Sequence, residues 1–301
     1  MTEAERIMQK GFLRKDFFKE EVICDFLVDE KRKKIWAIEL DLLREFDRVC
    51  KKYNLKYYMW FGSLIGAIRH HGFIPWDDDL DVAMLREDYE RFMEVAKDEF
   101  KAPYFLQTPY TDEGYYYSYI KLRNSNSTAL SKAFQYQPFN QGLFLDIFPL
   151  DYTDEAEMED RYTKVKKLAI QNTQYMKLSN PEITIKNEDK ERLLKSDPIV
   201  VYEMIQKLAM NHFNVPKPYR ALAVWTMSDW HKYLYDADCF ENSKECDFEG
   251  LKVLVPGRYD NILRIMYGDY MKLPDMEQRV SWHPGAIFEP DIPYKDYLTD
   301  M

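Results

Sequence analysis

The chain lacks an excess of positive charge, clustered cysteines and long apolar runs. Lysine and arginine number 42 against 52 acidic residues, for a formal net charge of −10. That balance excludes a general nucleic-acid binder, which needs a basic footprint, but leaves room for one local basic pocket for a pyrophosphate. The four cysteines are Cys24, Cys50, Cys239 and Cys246, and no CxxC pair occurs. Cys24 and Cys50 fall in stretches that predict helices and read as small buried hydrophobes. Cys239 and Cys246 stand close together in a loop-like stretch, yet two cysteines fall short of the four ligands a structural zinc takes. No run approaches the roughly 18 apolar residues of a membrane span. The opening MTEAERIMQK has no basic patch leading into an apolar stretch, so no signal peptide is expected. These absences predict a cytoplasmic protein, with transient contact at the inner membrane face left open. No internal repeat or low-complexity segment is visible.

What is present is a globular composition, with 46% hydrophobic and 31% charged residues. Aromatics reach 16%, with 23 Tyr and 18 Phe. Most of these rings belong to an aromatic-rich core, but tyrosine also suits half-buried sugar-binding surfaces. From Glu30 to Tyr53, the apolar residues Ile35, Ile38, Leu42, Phe46 and Val49 recur at helical spacing. Tyr57 to Phe61 reads as a short buried strand, broken by Gly62 and Ser63 before a helix from Leu64 to Arg69. From Asp79 onward acidic and apolar residues alternate with strand period. Arg86 to Phe100 predicts a helix, Tyr115 to Leu122 a strand, 124 to 142 a mobile loop and Gly142 to Pro149 a strand. Ala156 to Leu178 and Asp189 to His212 predict helices, with Pro216 and Pro218 as breaks and a further helix from Arg220 to Tyr235. Phe248 to Val255 reads as a late strand and Tyr259 to Tyr267 as a short helix. The expected fold is α+β: a mixed-sheet core with flanking helices and a helical insertion. The expected organisation is an N-terminal helical extension (1–29), a catalytic core (30–152), a helical region (153–247) and an α/β closing segment (248–301).

The chemistry concentrates around four acids. Asp77, Asp78, Asp79 and Asp81 crowd into five positions, a density of like charge that needs either full exposure or a purpose. A solvated turn is the plain alternative, but Leu80, Val82, Ala83 and Met84 imply burial. On a strand, Asp79 and Asp81 share a face. Two carboxylates on one face suit magnesium, with manganese as a substitute, bridging to substrate phosphates. Gly62 permits close backbone approach to a ligand, and the helix start behind it with the Ser63 hydroxyl is suited to a phosphate. Asp146 lies in the apolar run GLFLDIFP, where an isolated charge is costly. It is a candidate third metal carboxylate, or the base that activates an acceptor hydroxyl, or a structural acid satisfied by backbone N–H groups. Arg69, Lys121 and Arg123 are candidates to neutralise donor phosphates, and the last two share a face on a strand. His283 is a candidate acid–base group.

At GSLIGAIRHHGFIPWDDDLDVAM, residues 62–84, the sequence resembles the LicD family, which includes phosphorylcholine transferases and relatives of fukutin and fukutin-related protein. YIKLRNSNST (119–128), GLFLDIFPLD (142–151) and FEGLKVLVPGRYDNILRIMYGDYMKLPDMEQR (248–279) look like the family too. The resemblance implies a nucleotidyltransferase-like fold, with Gly62 and Ser63 holding donor phosphates, Asp79 and Asp81 holding magnesium, and Asp146 as a third catalytic and metal-binding carboxylate. It implies transfer of a phospho-alcohol, phosphorylcholine foremost, from CDP-choline or another CDP-alcohol to a glycan or lipid-linked glycan such as lipopolysaccharide or teichoic acid, with release of CMP. The stretch between Tyr235 and Phe248 carries no motif of the family, which leaves acceptor identity open. Three other readings stand beside this one: a nucleotidyltransferase using CTP or another NTP, a non-catalytic glycan-binding or scaffold protein, and a glycosyltransferase whose acids hold a metal at a nucleotide-sugar.

Overall fold

In a computed structural model, the described residues are 1–153, 155–210, 219–222, 230–281, 283 and 285–299. The chain opens with a short helix, α1 (Glu3–Met8), and a hairpin of β1 (Glu21–Ile23) and β2 (Phe26–Val28). Residues 1–29 are therefore only partly helical. Cys24 lies in the hairpin turn, not a helix: Cys24 and Asp25 both take left-handed φ, as tight two-residue hairpin turns require. Helix α2 (Glu30–Lys52) matches the predicted span, and Asp29 caps it by accepting from the Arg32 N–H at 2.8 Å. Its apolar stripe is buried, with Trp36 stacked on Phe73 and Phe46 wedged between Tyr57 and Phe92. Each such buried ring contributes roughly 1.5–3 kcal/mol.

The site-bearing strands follow. β3 (Tyr58–Met59) ends at a sharp turn into α3 (Phe61–Ile65), which continues as a π-turn over Gly66–His70. β4 (Leu80–Leu85) runs straight into α4 (Arg86–Val95), and β5 (Tyr104–Gln107) precedes β6 (Ile120–Asn124). The predicted strand from Tyr115 thus begins only at Ile120. The run 124–142 is not a mobile loop: β7 (Thr128–Leu130) lies in it, and Ser127, Thr128 and Leu130 are fully buried. Polar composition hid this, because buried hydroxyls and amides there satisfy one another, as when the Ser127 hydroxyl donates to the Asn124 carbonyl at 2.8 Å.

β8 (Leu143–Thr153) is the spine of the sheet. β4 runs parallel along one edge over Leu145–Leu150. Along the other edge, β6 pairs antiparallel with Leu143–Ile147, and β9 (Tyr219–Leu222) pairs antiparallel with Leu150–Thr153. β3, β5 and β10 (Leu234–Asp236) complete a seven-stranded mixed sheet, so the fold is α+β. Between β8 and β9 come α5 (Glu155–Met176), α6 (Asn187–Leu194) and α7 (Pro198–Ala209). Pro198 splits the predicted single helix, since proline is favoured in a first turn and disfavoured within a helix. The stretch 153–247 is therefore not purely helical: β9 and β10 rejoin the sheet, and Arg220 stands in a strand where a helix was predicted. Residues 211–218 and 223–229, with Pro216 and Pro218, lie outside the described residues.

The closing segment is a hairpin of β11 (Lys244–Phe248) and β12 (Leu251–Val255), then α8 (Tyr259–Tyr267), β13 (Ile287–Glu289) and α9 (Tyr294–Thr299). Glu249 and Gly250 form the hairpin turn at φ of 47° and 81°, again the two-residue geometry with both central residues left-handed. Cys239 is buried and Cys246 half-buried on this side, both as free thiols.

A carboxylate centre on adjacent strands

Strand register assembles the acids. Asp81 on β4 is the Cα partner of Asp146 on β8, and Asp146 is in turn the partner of Lys121 on β6. A row Asp81–Asp146–Lys121 thus crosses three strands, and Lys121 Nζ lies 2.6 Å from Asp146 Oδ1. Asp79 stands one residue before β4. The run leading into it is pinned from α2: the Asp77 carbonyl accepts from Arg32 at 2.6 Å and from the Trp36 indole N–H at 3.2 Å.

The centre carries more negative charge than the described side chains neutralise. Burial, then the charges of neighbouring acids, pushes Asp77 and Asp81 well above the ordinary carboxylate range. Asp79 is also raised by burial, against the pull of His283. Asp77 Oδ1 is buried with no hydrogen-bond partner among the described residues. Asp78 behaves differently. Burial works to raise it, but hydrogen bonds from His283 and Ser281 prevail and hold it below its usual range. His283 Nδ1 lies 3.0 Å from Asp78 Oδ1, and its Nε2 lies 3.8 Å from Asp79 Oδ2. Burial lowers the His283 pKa, but the Asp78 bond and the charges of Asp79 and Asp78 prevail and raise it above the ordinary value.

These observations fit a hard divalent cation. One ligand atom each from Asp78, Asp79 and His283 can lie within 4.8 Å of the others, and an unpartnered carboxylate oxygen is buried beside them. Asp81 and Asp146 adjoin this group through strand register. Carboxylates crowded in this way attract a cation that can be shared with phosphate oxygens.

The residues expected at the donor phosphates each have an intramolecular partner. A Cβ on Gly62 would stand 2.5 Å from Asp77 Oδ2, so the glycine is needed by the acid run itself. Ser63 Oγ accepts from the Asp81 N–H at 2.9 Å, and the Trp60 N–H donates to the Asp81 carbonyl at 2.9 Å. Between them, Phe61 takes a left-handed φ of 44°, a strained geometry for a bulky residue that these two bonds hold in place. Lys121 caps Asp146 and lies 3.6 Å from the Phe144 ring centroid, and burial lowers its pKa. Arg123 donates to Gln107 Oε1 and to the Gly142 carbonyl, both at 2.6 Å. Arg69 is not drawn to the acids. It donates to the carbonyls of Tyr270 and Lys272, and burial lowers its pKa.

Sequence reasoning saw Asp77 and Asp78 in the acid run but gave them no role, and it missed Glu39. That side chain is buried in α2, with Oε2 unpartnered among the described residues, and burial, then the charges of Asp79, Asp78 and Asp77, pushes its pKa well above its ordinary value. The signal was legible: Glu39 falls on the apolar stripe between Ile35 and Leu42, where a charge is out of place. Two open surface clefts, one lined by Tyr162 and Arg192 and one by Leu43 and Gly250, contain none of these acids.

The mixed sheet brings carboxylates together on neighbouring strands, with a corner beside them that could hold a cation. The family model described as LicD/FKTN/FKRP, nucleotidyltransferase domain, matches residues 54–184. The chain is also 31% identical over 252 residues to the lipopolysaccharide cholinephosphotransferase LicD of Haemophilus influenzae, covering 81% of this chain and 92% of that one. It therefore belongs to the LicD family. A shorter likeness, 38% over 69 residues, joins it to an uncharacterized protein of Rickettsia typhi, covering 23% of this chain and 20% of that one. Among the described residues, no helix is long and apolar enough to cross a membrane.

Proposed function

We propose that this LicD-like phosphotransferase moves phosphorylcholine from CDP-choline to a hydroxyl of a glycan or lipid-linked glycan, releasing CMP. The observation that carries this reading is the likeness to a cholinephosphotransferase over 92% of that relative's length, spanning every acid of the centre. The nucleotidyltransferase-like fold is part of the same reading, supported by the family model and by the mixed sheet. A nucleotide donor places the work in the cytoplasm, and a lipid-linked acceptor brings the protein to the membrane's inner face.

Asp78, Asp79 and His283 would hold magnesium or manganese, with Asp81 and Asp146 facing the same space. The ion, when bound, supplies charge neutralisation for the phosphates. The chain's own residues do the rest. Ser63 and Trp60 fix the backbone of Asp81 and so the spacing of the acid row. Phe61, Gly62 and Ser63 open α3, where N–H groups have no acceptor within the helix, and these suit a donor phosphate. Asp146, held by Lys121 at 2.6 Å, takes the proton of the acceptor hydroxyl as its oxygen bonds to the choline-bearing phosphorus. The bond from that phosphorus to the bridging oxygen breaks, and the oxygen leaves with CMP.

The test is product analysis. CDP-choline labelled in both the choline and its phosphate is incubated with magnesium and an acceptor extract. Both labels should reach the acceptor with stoichiometric CMP. Release of pyrophosphate from CTP without choline transfer would establish the nucleotidyltransferase alternative, and movement of the alcohol without its phosphate would overturn the phosphotransferase.

A further inference from the structure

Five rings from four segments run edge to edge beside the carboxylates. Tyr117 and Tyr119 lie 5.4 Å apart between centroids, tilted by 40°. Tyr119 lies 4.6 Å from Phe148, Phe148 lies 5.4 Å from Phe61, and Phe61 lies 6.2 Å from Tyr233. The last two contacts are near perpendicular, both at 81°. Phe148 is buried and forms the floor, while the other four stay partly exposed. Rings that serve only the core, such as Tyr58, Trp60 and Tyr235, have essentially no exposure.

The row sits at the reaction centre. Phe148 is two residues from Asp146 on β8 and so shares its face. Phe61 adjoins Gly62 at the start of α3. Burial and the negative charges of Asp146 and Asp81 act together on the Tyr119 hydroxyl, and Asp146 acts on Tyr117. The row therefore adjoins the acids through Phe148 on β8 and Phe61 at the start of α3.

The partly exposed rings stand beside the carboxylates Asp146 and Asp81, and Lys121 Nζ lies 5.4 Å over Tyr119 toward one end of the row. This environment suits a bulky, weakly hydrated cation that has no N–H to satisfy. Phe144 shows the same attraction already used by the protein's own cations, with Lys121 at 3.6 Å and Arg123 at 5.0 Å. Lys121 also lies over the Tyr119 ring, whereas among the described residues no lysine or arginine lies over Phe61 or Phe148.

We propose that Phe61, Tyr117, Tyr119, Phe148 and Tyr233 form the subsite for a quaternary ammonium group, seating the trimethylammonium end of the donor while its phosphate reaches the acid row. The inference rests on the phosphotransferase reading and adds to it the source of selectivity for choline over uncharged alcohols.

The test is equilibrium binding by calorimetry, in magnesium, of the full chain to three ligands. These are CDP-choline, its neutral isostere with a 3,3-dimethylbutyl group, and CMP. The wild type should prefer CDP-choline to the isostere by about tenfold or more, the scale of a desolvated cation–π contact. Tyr233→Leu should shrink that ratio to within about threefold, leave CMP binding unchanged and so show an intact fold, while Tyr119→Phe keeps the ratio. Equal wild-type affinity for CDP-choline and the isostere would overturn the subsite and leave the donor reading standing, and it needs no variant. Absence of binding to every cytidine ligand would overturn both.

Discussion

Lys121 and Asp146 meet at 2.6 Å in a place where neither ion would sit alone. Asp146→Asn should lower turnover by about 100-fold or more, the scale of general acid–base help, and leave CDP-choline binding within a few-fold. It also strands Lys121 without its countercharge, so the melting temperature should fall. Adding Lys121→Met should recover that stability but not the turnover, as thermal unfolding and CMP release will show. Recovery of turnover in the double variant would remove Asp146 from catalysis. Asp79→Asn and Asp81→Asn should each cost at least about 100-fold in turnover while the protein stays folded. Calorimetric magnesium titration should show weaker binding, and near-normal activity in either variant would take that residue out of the site. The His283–Asp78 tie has its own pH signature. Asp78 titrates below its ordinary 3.8, so its contribution is present above that value and is lost as pH falls through the depressed pKa. His283 titrates above its ordinary 6.5, so its contribution is complete below 6.5 and is lost as pH rises through the raised pKa. In metal-free buffer, the His283 ring should show an NMR midpoint above 6.5, and Asp78→Asn should bring it down. An unchanged midpoint would mean Asp78 does not set it.

At the scale of elements, β4 and β8 are locked together at the end away from the acids. Arg86, the first residue of α4, grips Asp151 through two bonds of 2.6 and 2.8 Å, with both side chains 1% exposed. It also reaches Gln206 on α7 at 2.8 Å and Glu90 on α4 at 2.9 Å. Asp151→Asn leaves a buried guanidinium without its anion and should destabilise by about 3–5 kcal/mol, measured by denaturant unfolding. A loss below about 1 kcal/mol would show that Gln206 and Glu90 suffice. Elements of this kind were only partly legible. α2, β4 and β8 could be read because their apolar spacing is regular. Asp79, Asp81 and Asp146 could be read because acids among apolar residues are costly. The 124–142 run could not, since hydrogen bonding among buried polar groups carries no hydrophobic period. β9 could not either: four residues give too little alternation to tell a strand from a helix turn. His283 was noticed, but its partner Asp78 lies 205 positions away, and no local pattern encodes such a meeting.

At the scale of the whole molecule, the last thirty residues fasten the first half. Ser281 and His283 bond Asp78, Arg279 donates to the Cys24 carbonyl, and β13 pairs with β7. The Thr128 hydroxyl donates to the Ile292 carbonyl at 2.7 Å, and Lys31 pairs with Glu289 at 2.7 Å. Ending the chain after Asp275 keeps α8 and the two carbonyls that hold Arg69. It should give a protein that is less heat-stable and inactive in CMP release. Full activity in that truncation would show that the tail is dispensable to the centre. A cut after Tyr259 also removes the buried face of α8 (Ile262, Leu263 and Met266), and should abolish soluble expression.

The two-neighbour edge of β8 has a wider meaning. The chain leaves the sheet at Thr153 and returns at Tyr219, and these two residues are Cα partners across the ladder. Everything between them is a closed excursion whose mouth is already stitched. The entropy of closing such a loop grows only with the logarithm of its length, about 0.6 kcal/mol per doubling. The α5–α7 assembly, which has an apolar cluster of its own around Val165 and Ile205, is thus cheap to lengthen or shorten, while its content stays tied to the core through Gln206 on Arg86. An excursion of different length that keeps the Gln206 contact can be grafted onto that mouth and leave the register of Asp81 against Asp146 untouched.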